Sequence, residues 1–145
     1  MRILIDADGC PVVDITVKVA KKYGCVCLIL CDTSHRFEKD GAETIVVPKG
    51  ADSVDFALVN LLEPGDIVVT QDYGLAALCL SRKGYPINQD GMLYSDENID
   101  ALLMSRHIAK KVRQSGGRLK GPKKRQPSQD VEFERRLESL VEKNR

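Results

Sequence analysis

The sequence predicts a three-layer α/β domain built on a mostly parallel sheet. Short apolar runs alternate with helical patterns from the first residues onward, an order that right-handed crossovers convert into a parallel sheet. Three of these runs are unbroken instead of alternating polar and apolar, as strands covered on both faces are. The 145 residues match one average domain, which buries roughly 70% of its unfolded surface and folds without staples.

Each element has its own signal. RILIDA reads as the first strand. Residues 11–23 form a helix with Val12, Ile15, Val19 and Ala20 as its apolar stripe, Pro11 in the first turn and Gly24 as the stop. VCLILC is the second strand and TIVVP the third. Residues 51–62 form a helix with Asp52 as its N-cap and Pro64-Gly65 as terminator. IVVT, residues 67–70, is the fourth strand, and residues 74–83 make a short helix ended by Gly84. Residues 85–88 are a fifth strand, placed at an edge by Pro86. Residues 98–114 are helical by the spacing of Ile99, Leu102, Leu103, Ile108 and Val112. A Gly/Pro-rich loop follows, and residues 130–143 form a last amphipathic helix. This divides the chain into an α/β domain over residues 1–115 and a basic loop with a C-terminal helix, residues 116–145, packed on the same domain.

With 43% hydrophobic and 30% charged residues, the composition is that of a soluble globular protein. No apolar run approaches the ~18 residues of a membrane span, and MRILIDAD places an acid too early for a signal peptide. These features argue against an integral membrane protein, a secreted precursor and a fully disordered chain, and the expected location is the cytoplasm. The five cysteines agree, being odd in number without a secretory signal. Cys25, Cys27 and Cys31 share one strand face, but the outer two would lie about 20 Å apart. A zinc ion holds its sulfur ligands at about 2.3 Å, so core packing is expected of them.

The net charge of +1 conceals a strong asymmetry. Residues 1–100 carry nine Lys/Arg against sixteen Asp/Glu, whereas residues 101–129 carry nine Lys/Arg and no acid. A basic segment on an acidic body suggests an anionic partner, with nucleic acid first. Arg106, Lys110 and Arg113 fall on one helix face. Arg118, Lys120, Lys123, Lys124 and Arg125 follow on the loop. No aromatic residue interrupts them, so phosphate contacts without base stacking are expected.

The acids collect where a parallel sheet binds ligands, beyond the carboxyl ends of its strands. Asp6 ends the first strand and Asp8 follows it. Asp32 follows the second, Asp52 and Asp55 open the helix after the third, and Asp72 follows the fourth. Capping accounts for acids at helix starts, but Asp6 closes a central apolar strand, where an unpaired carboxylate is costly. Two carboxylates ~5 Å apart repel by roughly 3 kcal/mol at an effective dielectric of ~20. A cluster must therefore take up protons, pair with bases or hold a cation. Oxygen-only ligands suit Mg²⁺ or Mn²⁺, one ion or two, and such ions support phosphodiester hydrolysis. The candidate ligands are Asp6, Asp8, Asp52, Asp55 and Asp72, with Asp6, Asp52, Asp55 and Asp72 as the catalytic set. Thr70 is placed to orient a water or a carboxylate. Ser34, His35 and Arg36 are placed to touch a phosphate. His107, amid base, is expected to face nucleic acid or solvent.

The run Asp6-Ala7-Asp8-Gly9-Cys10-Pro11-Val12, then Ser34-His35-Arg36, Gly50-Ala51-Asp52-Ser53-Val54-Asp55 and Gly65-Asp66-Ile67-Val68-Val69-Thr70-Gln71-Asp72-Tyr73-Gly74-Leu75-Ala76, resembles the bacterial YaiI/YqxD family. Gly116-Gly117-Arg118, Gly121-Pro122 and residues 130–133 fit its C-terminal pattern. That family is grouped with the PIN-like domains, which include metal-dependent ribonucleases. The resemblance implies a strand order 3-2-1-4-5 and an acidic site at the sheet edge. Asp6 matches the acid ending the first PIN strand, Asp52 or Asp55 the acid at a helix start, and Thr70 with Asp72 the Thr-x-Asp after the fourth strand. Asp90 is the candidate for a further acid that many PIN nucleases carry. Gly9 departs from the alanine expected there. The resulting expectation is a Mg²⁺- or Mn²⁺-dependent nuclease acting on RNA. A homo-oligomer is compatible with it. One alternative is a non-catalytic RNA-binding module with the same fold. Another is a haloacid-dehalogenase-like phosphatase with Asp6 as nucleophile and Asp8 as general acid.

Overall fold

The computed structural model describes every residue except Arg36, Leu119, Lys120 and Pro122. Five strands, β1 (Arg2–Asp6), β2 (Val26–Asp32), β3 (Glu43–Val47), β4 (Ile67–Val69) and β5 (Tyr85–Ile87), form one sheet in the order β3-β2-β1-β4-β5. All four pairings are parallel. The helices are α1 (Val13–Tyr23), α2 (Ser53–Leu61), α3 (Tyr73–Ser81), α4 (Ile99–Gln114) and α5 (Pro127–Asn144).

Side-chain alternation sorts the strands onto two covered faces. Ile3, Ile5, Cys27, Ile29, Cys31, Ile67 and Val69 meet α1 and α5, while Leu4, Leu28, Leu30 and Val68 meet α2 and α3. The cysteines of β2 are core residues as expected: Cys27 and Cys31 are buried, and burial pushes the Cys27 thiol up to about 12. Phe133, Leu137 and Val141 recur every four residues on α5 and are fully buried against α1 and the sheet. Truncating Phe133 to Ala removes about 3–5 kcal/mol. Among the described residues, no helix is long and apolar enough to cross a membrane.

Three of the boundaries that differ from the sequence reading have a local cause. Helix α1 begins at Val13; Pro11 lies in a turn before it, just after the tighter turn that the Cys10 N–H closes on the Ala7 carbonyl. Helix α5 begins three residues early, because Pro127 fixes φ in its first turn and the Gln129 side chain accepts from the Gln126 N–H at 2.7 Å. Helix α3 ends at Ser81, two residues before the expected end at Lys83, and Lys83 takes a left-handed conformation. Gly84 is instead needed for close approach: a Cβ there would sit 3.2 Å from Leu62 and 3.3 Å from the Cys79 carbonyl.

Strand β5 is the edge strand that Pro86 implied. Its open side is partly closed by an antiparallel bridge from Ile87 to Leu93 and by the Tyr94 N–H donating to the Pro86 carbonyl. That covering limits edge-to-edge pairing. It also carries the chain back toward β4, where the Tyr94 hydroxyl donates to the Thr70 carbonyl at 3.1 Å.

Candidate metal and catalytic cleft

Because the strands are parallel, their carboxyl ends open on one side of the sheet, and the acids there line a single cavity of about 600 Å³. Asp6, Asp8, Asp32, Asp52, Asp55 and Asp72 all reach it, together with Gln71, Tyr73 and Arg106. Arg106 is the one basic residue among its described lining residues.

Thr70 organises the centre. Its side chain is buried, 1% exposed. Its hydroxyl donates to Oδ2 of Asp6 at 2.8 Å and accepts the Asp72 N–H at 3.0 Å. The hydroxyl thus holds the Asp6 carboxylate in place.

Asp72 has two roles. Its Oδ1 caps α3, accepting the N–H groups of Gly74 at 2.8 Å and Leu75 at 3.1 Å. Arg106 approaches the same oxygen at 3.4 Å. Asp52 does not cap α2, contrary to expectation. It holds the N-cap position in the left-handed region, φ 62°, and its side chain makes no capping bond. Asp tolerates that conformation better than most residues, at a cost of roughly 1–2 kcal/mol. The turn therefore leaves the Asp52 carboxylate at the cavity wall instead of over the helix amides.

The electrostatics are those of surplus negative charge. Burial first, then the charges of Asp72, Asp6 and Asp52, push the Asp55 carboxyl up to about 6. Asp6 is also raised, by burial above all and by Asp72 and Asp8, against the lowering effect of the Thr70 hydroxyl. Hard oxygen donors in excess of nearby bases fit a divalent ion such as Mg²⁺ or Mn²⁺.

Asp8 belongs to a neighbouring group. Its Oδ1 lies 3.0 Å from Nδ1 of His35, which is 3.7 Å from Oδ1 of Asp32. Potential ligand atoms of Asp8, Asp32 and His35 lie within 4.8 Å of one another. Asp32 is held below the usual carboxylate range by the Ser34 backbone N–H, then by the Ser34 hydroxyl and His35. The sequence reading noted Asp32 at its strand end without counting it as a ligand. Like Asp6 on β1, it is the last residue of its strand, and that shared position is the signal. Ser34 and His35 sit on the turn after β2, and Arg36 lies outside the described residues.

The other candidates fall apart from this cavity. Asp90 lines a second cavity of about 560 Å³. Its Oδ1 accepts from Arg125 at 3.0 Å and Gln129 at 3.1 Å. Arg125 is a strut, bonded also to Oδ1 of Asp130 at 2.8 Å and the Gln89 carbonyl at 2.7 Å. Lys123 and Lys124 line the same second cavity. His107, Lys110, Arg113 and Arg118 are exposed on and just after α4, and Lys120 lies outside the described residues. Arg106 was read as part of the basic face alone. The packing of Leu102 and Leu103 against α3 brings it over the N-terminus of α3 and Asp72.

Residues 4–143 match the model of a family described as "Uncharacterized BCR, YaiI/YqxD family". The chain is 53% identical over 141 residues to a UPF0178 protein of Exiguobacterium sibiricum, covering 97% of this chain and 96% of the relative. It is 49% identical over 137 residues to a UPF0178 protein of Ruminiclostridium cellulolyticum, covering 94% and 90%. A UPF0178 protein of Clostridium acetobutylicum is 46% identical over 143 residues, covering 97% of each chain. No solved structure matches the chain.

Proposed function

This chain belongs to the YaiI/YqxD family, and on the chemistry of its cleft we propose that it is a Mg²⁺- or Mn²⁺-dependent nuclease acting on RNA phosphodiester bonds. One observation carries the reading. Asp6 and Asp72 are joined through Thr70, and with Asp55 they line a cavity whose described lining holds a single base.

In this reading Asp6, Asp52 and Asp72 hold the ion. When bound, it lowers the pKa of a coordinated water and neutralises charge on the phosphodiester. Thr70 fixes the Asp6 carboxylate by donating to Oδ2, so the ligand is oriented before any ion arrives. Asp55 lines the cavity beside Asp6 and Asp72, where its carboxylate would accept a proton from an attacking water. Arg106 supplies positive charge at the cavity rim, suited to a phosphate oxygen. The excess of basic residues in 101–129 favours a polyanionic substrate.

Incubating the protein with end-labelled single-stranded RNA in Mn²⁺, Mg²⁺ or EDTA tests the proposal. Fragments that need the cation support it. Stable binding without fragments favours a non-catalytic RNA-binding module. Release of phosphate from phosphomonoesters with the RNA chain intact favours the phosphatase reading.

A further inference from the structure

We infer that the cavity lined by Lys123 and Lys124 is a phosphate-binding subsite for the nucleotide next to the one over the carboxylates, so that one single strand spans both cavities. The inference rests on the nuclease reading for its purpose, though the binding it predicts needs no cleavage.

The two cavities share a wall. Gln71 lines both of them, and its Nε2 donates to the Gly9 carbonyl at 2.9 Å. That bond ties the loop after β4 to the loop after β1, with Gln71 as the ridge common to both cavities. Gly9 is exposed at φ 75°, and the space where its Cβ would lie is open to 4 Å. A flexible strand can cross such a ridge closely.

The charges on the two sides are opposite. On one side stand the six carboxylates and Arg106. On the other, Arg125 bonds to Asp90 and Asp130; these three sum to one negative charge, which the two positive charges of Lys123 and Lys124 outweigh. Lys123 and Lys124 are exposed beside them, and no described ion pair engages either. A phosphate is therefore attracted to the lysine side even without a cation and repelled from the carboxylate side until one binds. The strut also matters mechanically. Arg125 pins the loop to the Gln89 carbonyl and to the start of α5, so its two neighbours are presented from an anchored point instead of a loose tail. No aromatic side chain is among the described lining residues, so the subsite holds phosphate without stacking a base.

The test is anisotropy with a labelled single-stranded RNA of about ten nucleotides in EDTA, where no cleavage occurs. Lys123→Gln/Lys124→Gln should weaken binding by roughly tenfold or more at low salt. It should also flatten the slope of log K against log salt by up to about 1.4, since each lost single-strand phosphate contact accounts for about 0.7. Lys83→Gln/Lys143→Gln removes two lysines that line other cavities and should change the affinity less than about threefold. Single-stranded DNA of equal length should show the same loss with the first variant, because the contacts are to phosphate. Equal loss in both double variants, or an unchanged slope in the first, overturns the subsite. Failure of the nuclease reading shows up separately, as absence of fragments in Mn²⁺ with this binding pattern intact.

Discussion

Thr70 and Asp6 are joined by a 2.8 Å hydrogen bond from the threonine hydroxyl to Oδ2 of the carboxylate, across the β1–β4 pairing at the centre of the sheet. The same hydroxyl accepts the Asp72 N–H, so one buried oxygen sets the positions of two proposed ligands. Thr70→Val keeps the shape and removes both bonds. It should destabilise the protein by about 1–3 kcal/mol, seen as a lower midpoint in urea, and weaken Mn²⁺ binding. Thr70→Ser should restore most of both.

Asp6→Asn should raise the metal-free melting temperature at pH 7–8, because it removes one charge from a like-charged cluster while its amide oxygen can still accept from Thr70. The same variant should lose RNA cleavage and most of the stabilisation that Mn²⁺ gives the wild type. A clear fall in the metal-free melting temperature would assign Asp6 to packing.

Asp55 sets a pH dependence of defined sign. Its carboxyl titrates near 3.8 when unfolded and about 6 when folded, so the folded state holds the proton more tightly. Stability from this group is greatest below about pH 4, declines between pH 4 and 6 and is lost above that. A shift of about two units corresponds to roughly 3 kcal/mol, which solvent screening at a half-exposed group reduces to about 1–2 kcal/mol. Urea denaturation across pH 4–7 in EDTA should show this decline. Asp55→Asn should flatten it, and saturating Mg²⁺ should reduce it by relieving the repulsion.

Arg106 is exposed, and its pairing with Asp72 is long, 3.4 Å. Arg106→Gln should therefore change stability by less than about 0.5 kcal/mol. Removing the one base described in the cavity lining should tighten Mn²⁺ binding a few-fold by titration calorimetry. RNA cleavage should nonetheless fall by roughly tenfold or more, because a positive charge facing the phosphate is lost.

The sheet and its helices were readable from the sequence because period and burial are local properties. Apolar runs between helical stripes gave all five strands, and Pro86 gave the edge. The clustering of Asp6, Asp55 and Asp72 followed from strand polarity alone. What escaped depended on backbone detail or distant pairing. Asp52 reads as a cap by residue type, but its left-handed backbone takes it off the helix amides. Arg125 reads as a phosphate contact by its basic neighbours, yet it is bonded to Asp90, 35 residues earlier. Asp90 was lost from the site through that same pairing. Arg106 reaches Asp72 across 34 residues, a contact set by how α4 packs on α3 and not by charge pattern.

The central claim is that the carboxylate cleft cleaves RNA with a divalent ion, and a single-turnover cleavage assay with excess protein over labelled single-stranded RNA tests it most directly. The account predicts fragments with wild type in Mn²⁺, none in EDTA, and none with Asp6→Asn at the same Mn²⁺ concentration, while both proteins bind the RNA in EDTA. Intact RNA after prolonged incubation with wild type in both Mn²⁺ and Mg²⁺, or equal cleavage by Asp6→Asn, would contradict it.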